Sequence, residues 1–393
     1  MEPMPPADPT DFDSITESAP LVAELRARVE RDGPMTFREF MAAALYHPKY
    51  GYYSTNSGTM SRGGDYVTSP EMHPVFGTLV AKQLREMWGV MSRPARFDVV
   101  EMGAGTGLLA RDIIRAATSD PDFAVALRYR IVEVSPALAR AQRRTIEDAD
   151  LSEAVIDWFD ELPGAIEGCV LSNELVDAFP VHRVVRKGDD LREVYVACRD
   201  GRFVDELRPL SSDALRRYFD DLGLLPGDGS FAEVNLDAVA WIDRVAASLR
   251  RGYVLTFDYG YEAEALYAPW RRDGTLLCFY RQDASSDPYQ RIGRQDITAS
   301  VDFTTLRRAG ERAGLLTLAM TDQSAFLVSL GIGEGIAGIA SDRPEQMEEY
   351  FARRRVVMDL IDPARLGGVK VLLQGKDAPT APLRGFADAL TSS

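Results

Sequence analysis

The chain has 393 residues, a formal net charge of −15 and no long basic run. That balance argues against duplex nucleic acid as a partner, because binding phosphates takes Lys and Arg to displace counterions. An apolar fraction of 46% supplies a sizeable core and argues against wholesale disorder, and no segment approaches the roughly 20 apolar residues of a membrane span.

The opening "MEPMPPADPTDFD" is acidic and proline-rich, unlike a secretory signal or an Arg-rich transit peptide. Residues 1–17 read as a disordered lead-in. Helical periodicity follows in "SAPLVAELRARVERDG", with Leu21, Val22, Leu25 and Val29 on one face and Gly33 closing it. "TFREFMAAALY" opens with Thr36 and Glu39 at capping-box spacing. Glycine and proline mark "HPKYGYYS" and "GTMSRGGDYVTSPEMHP" as loops, and "VFGTLVAKQLREMW" returns to helix, so residues 18–92 form a helical N-terminal segment.

From residue 93 the rhythm becomes strand, loop, helix. "FDVVEMG", "YRIVEVS", "GCVLSN" and "GYVLTFDYG" read as strands, with "GLLARDIIRAA" and the Ser135-capped "PALARAQRRTIED" as helices. Such alternation predicts an α/β fold with a mostly parallel, Rossmann-like sheet. Residues 93–378 form its domain, 181–249 read as an inserted β/α segment with hairpin-like alternation, and 379–393 as a tail. The ligand of such a sheet lies outside the carboxyl ends of its strands, where Glu101, Glu133, Asn173, Glu174 and Asp258 fall. Cys169, Cys198 and Cys278 are scattered with no CxxC or adjacent His, so neither a disulfide framework nor a metal site is expected. A reduced, cytoplasmic location follows as the expectation. Oligomeric state stays open, a homodimer included.

Gly103, Gly105 and Gly107 in "VVEMGAGTGLLARDI" are evenly spaced, with Ala104 inside the turn and Glu101 ahead of it. A dinucleotide turn is GxGxxG, so the third glycine here is out of register for a pyrophosphate. Glu-x-Gly-x-Gly-x-Gly is similar to the first motif of the class I S-adenosylmethionine methyltransferases. Acids at this turn suit the ammonium and sulfonium charges of that cofactor and repel a diphosphate. Glu133, followed by Val134, ends the next strand, where a carboxylate can accept both ribose hydroxyls. Asp157 and Trp158 stand at the third-strand turn, where an acid can take the adenine amino group; a surface acid and a core Trp are equally open there.

"HPKYGYYS", "GGDYVTSPEMHPVFG", "YRIVEVSPAL", "SNELVDAFPVHRV", "FDYGY" and "DITASVDFTTL" occur in an order that, with the glycine turn, resembles the MidA-type methyltransferases. The mitochondrial relatives in that family are assembly factors of respiratory complex I. The resemblance runs from about Phe37 to "VKVLLQGK". It implies a class I methyltransferase fold, S-adenosyl-L-methionine as cofactor, and arginine methylation of a respiratory-chain protein subunit. It further implies that Gly64, Asp65, Thr68 and Ser69 cover the cofactor, and that Asn173, Glu174 and Asp177 face the methyl group. Asp65 serving only a turn and Asp177 serving only as a cap are open alternatives. The chain departs from many relatives in carrying Gln282 and Ser300 where they carry His.

Arginine presents a planar, permanently charged fork of donors, so an arginine acceptor calls for carboxylates; Glu174 is the first choice, with Asp177 and Asp258 as helpers. His73 could serve as a base for another acceptor, though a helix-capping role fits it better; His47 carries the same reading, and His182 falls on the inserted segment. Three alternatives remain: a small-molecule or natural-product methyltransferase, a non-catalytic cofactor-binding assembly factor, and an NAD oxidoreductase, the last disfavoured by the glycine spacing.

Overall fold

The computed structural model describes residues 17–55, 68–151, 154–334 and 344–387. Its centre is a seven-stranded sheet built from β1 (Phe97–Met102), β2 (Leu127–Val132), β3 (Ile156–Phe159), β4 (Ile166–Asn173), β5 (Leu249–Asp258), β6 (Leu316–Asp322) and β7 (Lys370–Lys376). Across the sheet the order is β6, β7, β5, β4, β1, β2, β3. Strands β1 to β5 pair in parallel, whereas β7 runs antiparallel to both β5 and β6.

The period-two rule explains why these strands read as almost unbroken apolar runs. Val99, Leu171 and Leu255 face one core with Phe76, Leu84, Leu109 and Ile113. Their chain neighbours Val100, Val170 and Val254 face the other, with Trp241, Ile242, Phe303 and Leu306. Both faces are therefore covered by helices: Val75–Val90 and Leu108–Ala117 on one, Leu236–Ser248 and Phe303–Arg312 on the other. The strand order reverses between β1 and β4, which opens a crevice at their carboxyl ends.

A second, antiparallel sheet takes in His182–Lys187, Asp190–Arg199, Arg202–Arg208 and Phe231–Val234. It recruits Met35–Thr36 as an edge strand, pairing Met35 with Val196. The helical N-terminal segment is consequently divided between two cores. Ala19–Asp32 and Phe37–Tyr46 pack with Val196 and Phe203 of the second sheet, while Val75–Val90 packs on the central one. The stretch read as an insertion also divides, because Trp241, Ile242 and Val245 bury the helix Leu236–Ser248 against the central sheet as the crossover from β4 to β5. The capping box at Thr36 and Glu39 forms, and the Ser135 hydroxyl accepts from the Leu138 amide.

Candidate functional site

A cavity of about 1440 Å3 opens at the carboxyl ends of β1, β2 and β4. Met102 to Thr106, Glu133 to Leu138 and Asn173 to Leu175 form its floor, and Tyr46, Tyr53, Thr68 and Glu71 close it from the N-terminal segment. Two of the three glycines do separate jobs. Gly105 has φ 52°, and a Cβ there would meet nothing within 4 Å, so its missing side chain leaves room for a ligand. Gly107, at φ 84°, caps the helix Leu108–Ala117. A Cβ on it would stand 3.1 Å from Gln142 Cα, so that glycine serves helix packing.

Glu101 lies beneath the turn and accepts a 2.7 Å bond from the Tyr129 hydroxyl. Burial, with the charge of Glu133 added, pushes its carboxyl up to about 7. Glu133 accepts from the Ser135 amide at 2.8 Å and from Gln142 Nε2 at 2.9 Å, and burial raises it as well. Gln142 also donates to the Gly105 carbonyl at 3.0 Å and accepts from the Trp158 indole at 3.1 Å. One buried amide thus ties the glycine turn to the acid of the next strand. Nothing in the sequence distinguishes this residue beyond a polar side chain on the inner face of a helix.

The turn after β4 carries the second group of acids. Glu174 adopts φ 50°, a left-handed conformation uncommon for a side-chain-bearing residue. Its Oε1 accepts from Asn173 Nδ2 at 2.9 Å and from the Ser69 amide at 3.3 Å. Its Oε2 is buried with no hydrogen-bond partner among the described residues. Burial, and further off Asp258 and Glu71, push its carboxyl up to about 8. Asp177 also lines the cavity; burial, then the charges of Asp258, Glu174 and Asp296, hold it well above the usual carboxylate range. Glu71, which caps its own turn through Thr68, is pushed by burial to about 7.

Several expected residues fall elsewhere. Asp258 is fully buried behind the cavity wall, accepting from the amides of Leu175, Val176 and Tyr259 at 3.2, 2.8 and 2.9 Å. It shapes the Glu174 turn and is not presented to a substrate. Asp157 and Trp158 do not line the cavity: alternation along β3 turns Asp157 to solvent, and Trp158 packs under Arg143, with the guanidinium 4.0 Å from its ring. Ser69 is buried, its hydroxyl on Gln323 at 3.1 Å and its amide on Glu174, so it braces that acid from behind. Val134 and Thr68 do line the cavity, and Gly64 and Asp65 lie outside the described residues. Ser300 is a wall residue, while Gln282 occupies an exposed turn at φ 69°. None of the three histidines reaches the cavity. His73 accepts from the Val75 amide at 3.0 Å, as a helix cap does, and His47 and His182 pair with Glu24 and Glu193. Among the described residues no group of His, Cys, Asp and Glu is arranged to hold a metal ion.

A family model for S-adenosyl-L-methionine-dependent methyltransferases matches residues 79–321. The mitochondrial protein arginine methyltransferase NDUFAF7 homolog of Drosophila melanogaster is 31% identical over 92% of this chain and 86% of its own. The human mitochondrial protein arginine methyltransferase NDUFAF7 is 27% identical over 80% of this chain and 74% of its own. A crystal structure from Burkholderia thailandensis, bound to S-adenosyl-homocysteine, superposes with a TM-score of 0.87 at 32% identity, covering 98% of both chains. The curated relatives are named as mitochondrial, which overturns the cytoplasmic location expected above. Among the described residues no helix is long and apolar enough to cross a membrane. The cofactor of such enzymes, S-adenosylmethionine, fits the residues present: open space above Gly105, a carboxylate at Glu133, and a buried unpaired oxygen on Glu174. On these matches the chain belongs to the MidA-type family of S-adenosyl-L-methionine-dependent methyltransferases.

Proposed function

We propose that this enzyme methylates an arginine side chain of a protein, a subunit of the respiratory chain. The observation that carries the reading is the convergence of Glu174 and Asp177 on the cavity that the glycine turn floors, with one oxygen of Glu174 left without a partner among the described residues. A buried, unsatisfied carboxylate oxygen is costly, and a guanidinium, with five donors in a rigid fork, is the side chain that relieves it best. The names of the curated relatives support the same acceptor.

S-adenosylmethionine supplies an electrophilic methyl group. The backbone of Gly103, Ala104 and Gly105 would hold it, with the Glu133 carboxylate on its ribose, Val134 and Thr68 against its sides, and Asn173 near the reacting end. Gly107 acts from below by seating the helix Leu108–Ala117. Glu174 and Asp177 hold the acceptor. With no ligand bound, burial keeps Glu174 largely protonated near neutral pH. Arrival of a cation favours the ionised form, so the acid becomes a proton acceptor as the acceptor docks. The nitrogen that gains a methyl must lose a proton, and in this reading Glu174 Oε2 takes it. Asp258 works only through the amides it fixes.

The test is incubation with isotope-labelled cofactor and a mitochondrial lysate, followed by mass spectrometry. Label on arginine of a respiratory-chain subunit, lost in Glu174→Gln, supports the reading. Label confined to small molecules would replace it with the second reading, a small-molecule methyltransferase, which the short Ser300 side chain in the cavity wall favours by leaving room.

A further inference from the structure

Glu174 is held from outside its own turn by a run of buried polar groups that ends in the carboxyl-terminal part of the chain. Gln323 opens the helix Gln323–Ser329 directly after β6 and is fully buried. Its backbone amide donates to the Val369 carbonyl at 2.7 Å, just ahead of β7. Its side-chain nitrogen donates to the Leu360 carbonyl at 3.2 Å, in the last turn of the helix Pro344–Ile361, where carbonyls find no partner within the helix. A carbonyl can only accept, so this contact fixes which end of the Gln323 amide is nitrogen and leaves its oxygen facing Ser69. The Ser69 hydroxyl donates to that oxygen at 3.1 Å, and the Ser69 amide donates to Glu174 Oε1 at 3.3 Å.

Of the two donors on Glu174 Oε1, Asn173 is the chain neighbour and moves with the turn. Ser69 stands 105 positions earlier and is itself fully buried, pinned through Gln323 to the ends of β6 and β7. It therefore sets the rotation of the carboxyl group: with Oε1 on Ser69, Oε2 is the oxygen left for the cavity. The same bond favours the ionised acid against its burial and against the charges of Asp258 and Glu71, and Asp177 is a third acid that feels Glu174. Gln323 does not line the cavity, so any effect it has on the reaction passes through Ser69.

We propose that Gln323 is a positioning residue for methyl transfer: through the Ser69 hydroxyl it keeps the Ser69 amide on Glu174 Oε1, so that Oε2 faces the reacting group. This rests on the role given to Glu174 above and adds the residue that aims it.

The experiment compares two ligands of the full chain by calorimetry between about pH 6 and 8.5. One is S-adenosylhomocysteine; the other is sinefungin, an analogue with a protonated amine where the cofactor carries its sulfonium methyl. The amine rewards an ionised Glu174, so the parent's preference for sinefungin should grow with pH, and Glu174→Gln should remove that growth. Groups that titrate alike with either ligand, Glu101 and Glu133 among them, cancel in the ratio. Gln323→Leu and Ser69→Ala should each need a pH about half a unit to one unit higher for the same preference, the worth of one hydrogen bond. Both should keep the parent's affinity for S-adenosylhomocysteine, which controls for folding. The double variant should shift no further than either single one, because both break the same connection. A purely structural glutamine would weaken both ligands together and leave the pH dependence in place, and that result, or curves that coincide with the parent's, would overturn the positioning role while sparing Glu174. A parent with no pH-dependent preference would overturn both. The expected shift together with no arginine label in the lysate would leave the positioning role standing and refute the arginine reading alone.

Discussion

Replacing Gln142 by Leu tests whether the glycine turn and the ribose-side acid are held as one unit. The side chain is completely buried, so a leucine of similar volume keeps the packing and removes only polar contacts. It leaves three groups short: the Gly105 carbonyl, one oxygen of Glu133 and the Trp158 indole N–H, previously at 3.0, 2.9 and 3.1 Å. A lost bond to a charged group costs about 1.5–3 kcal/mol, and an unsatisfied buried neutral group about 1–3 kcal/mol. Because Glu133 borders the cavity, water can replace part of that, and a net loss of about 3 kcal/mol in urea unfolding is expected. Cofactor affinity should fall with it, since a freed Glu133 must be ordered during binding. One charge-assisted bond corresponds to about ten- to hundredfold in Kd, readable by calorimetry with S-adenosylhomocysteine. Trp158→Phe removes one donor alone and should cost about 1 kcal/mol with little change in Kd. A Gln142→Leu protein with the parent's stability and affinity would refute the idea that this amide couples the two strand ends.

Gly105→Ala should cost about 1–2 kcal/mol of stability, because φ 52° is left-handed, and lose most cofactor binding, because its methyl would enter the open space above the turn; circular dichroism and calorimetry separate the two effects. Glu174→Gln should retain S-adenosylhomocysteine binding and lose methyl transfer by about 100-fold or more, as expected on removing a general base. Glu101 and Glu174 bind their protons more tightly folded than unfolded, with carboxyls at about 7 and about 8 against 4.5. Their stabilisation is complete below the ordinary carboxylate range and is lost as pH rises through about 7 to 8. The ligand-free protein should therefore lose thermal stability between about pH 5 and 8, and Glu101→Gln should flatten that decline in calorimetric scans. Asp258→Ala should destabilise the fold by about 3 kcal/mol, since three backbone amides lose a buried carboxylate, and transfer should fall only through the displaced Glu174 turn.

The sheet was legible because its strands obey an apolar pattern that needs both faces covered, and the crevice followed from the strand-to-helix glycine turn. Glu101, Glu133 and Glu174 were legible for the same reason, as acids at strand ends. Strand ends look alike in sequence, however, whether a side chain faces the ligand or turns back to cap a loop. That is why Asp258 and Ser69 were drawn into the site when both act from behind it. Asp296 opens the stretch "DITASVDFTTL", yet nothing local in it encodes the hydroxyl it accepts from, that of Tyr53, 243 positions earlier in the chain. The Met35–Thr36 strand is only two residues long, too short for alternation to register, so its pairing with the second sheet could be found only in three dimensions.

The position of β7, wedged between β5 and β6, has a consequence for biosynthesis. During translation, one flank of β5 waits uncovered until Lys370–Lys376 leaves the ribosome, and β6 has no strand partner before then. An open strand flank invites pairing with other chains. A stop just ahead of Lys370 would spare Glu101, Glu133 and Glu174 and yet yield a species prone to aggregate, so for this polypeptide the synthesis of β7 guards against misassembly before it serves catalysis.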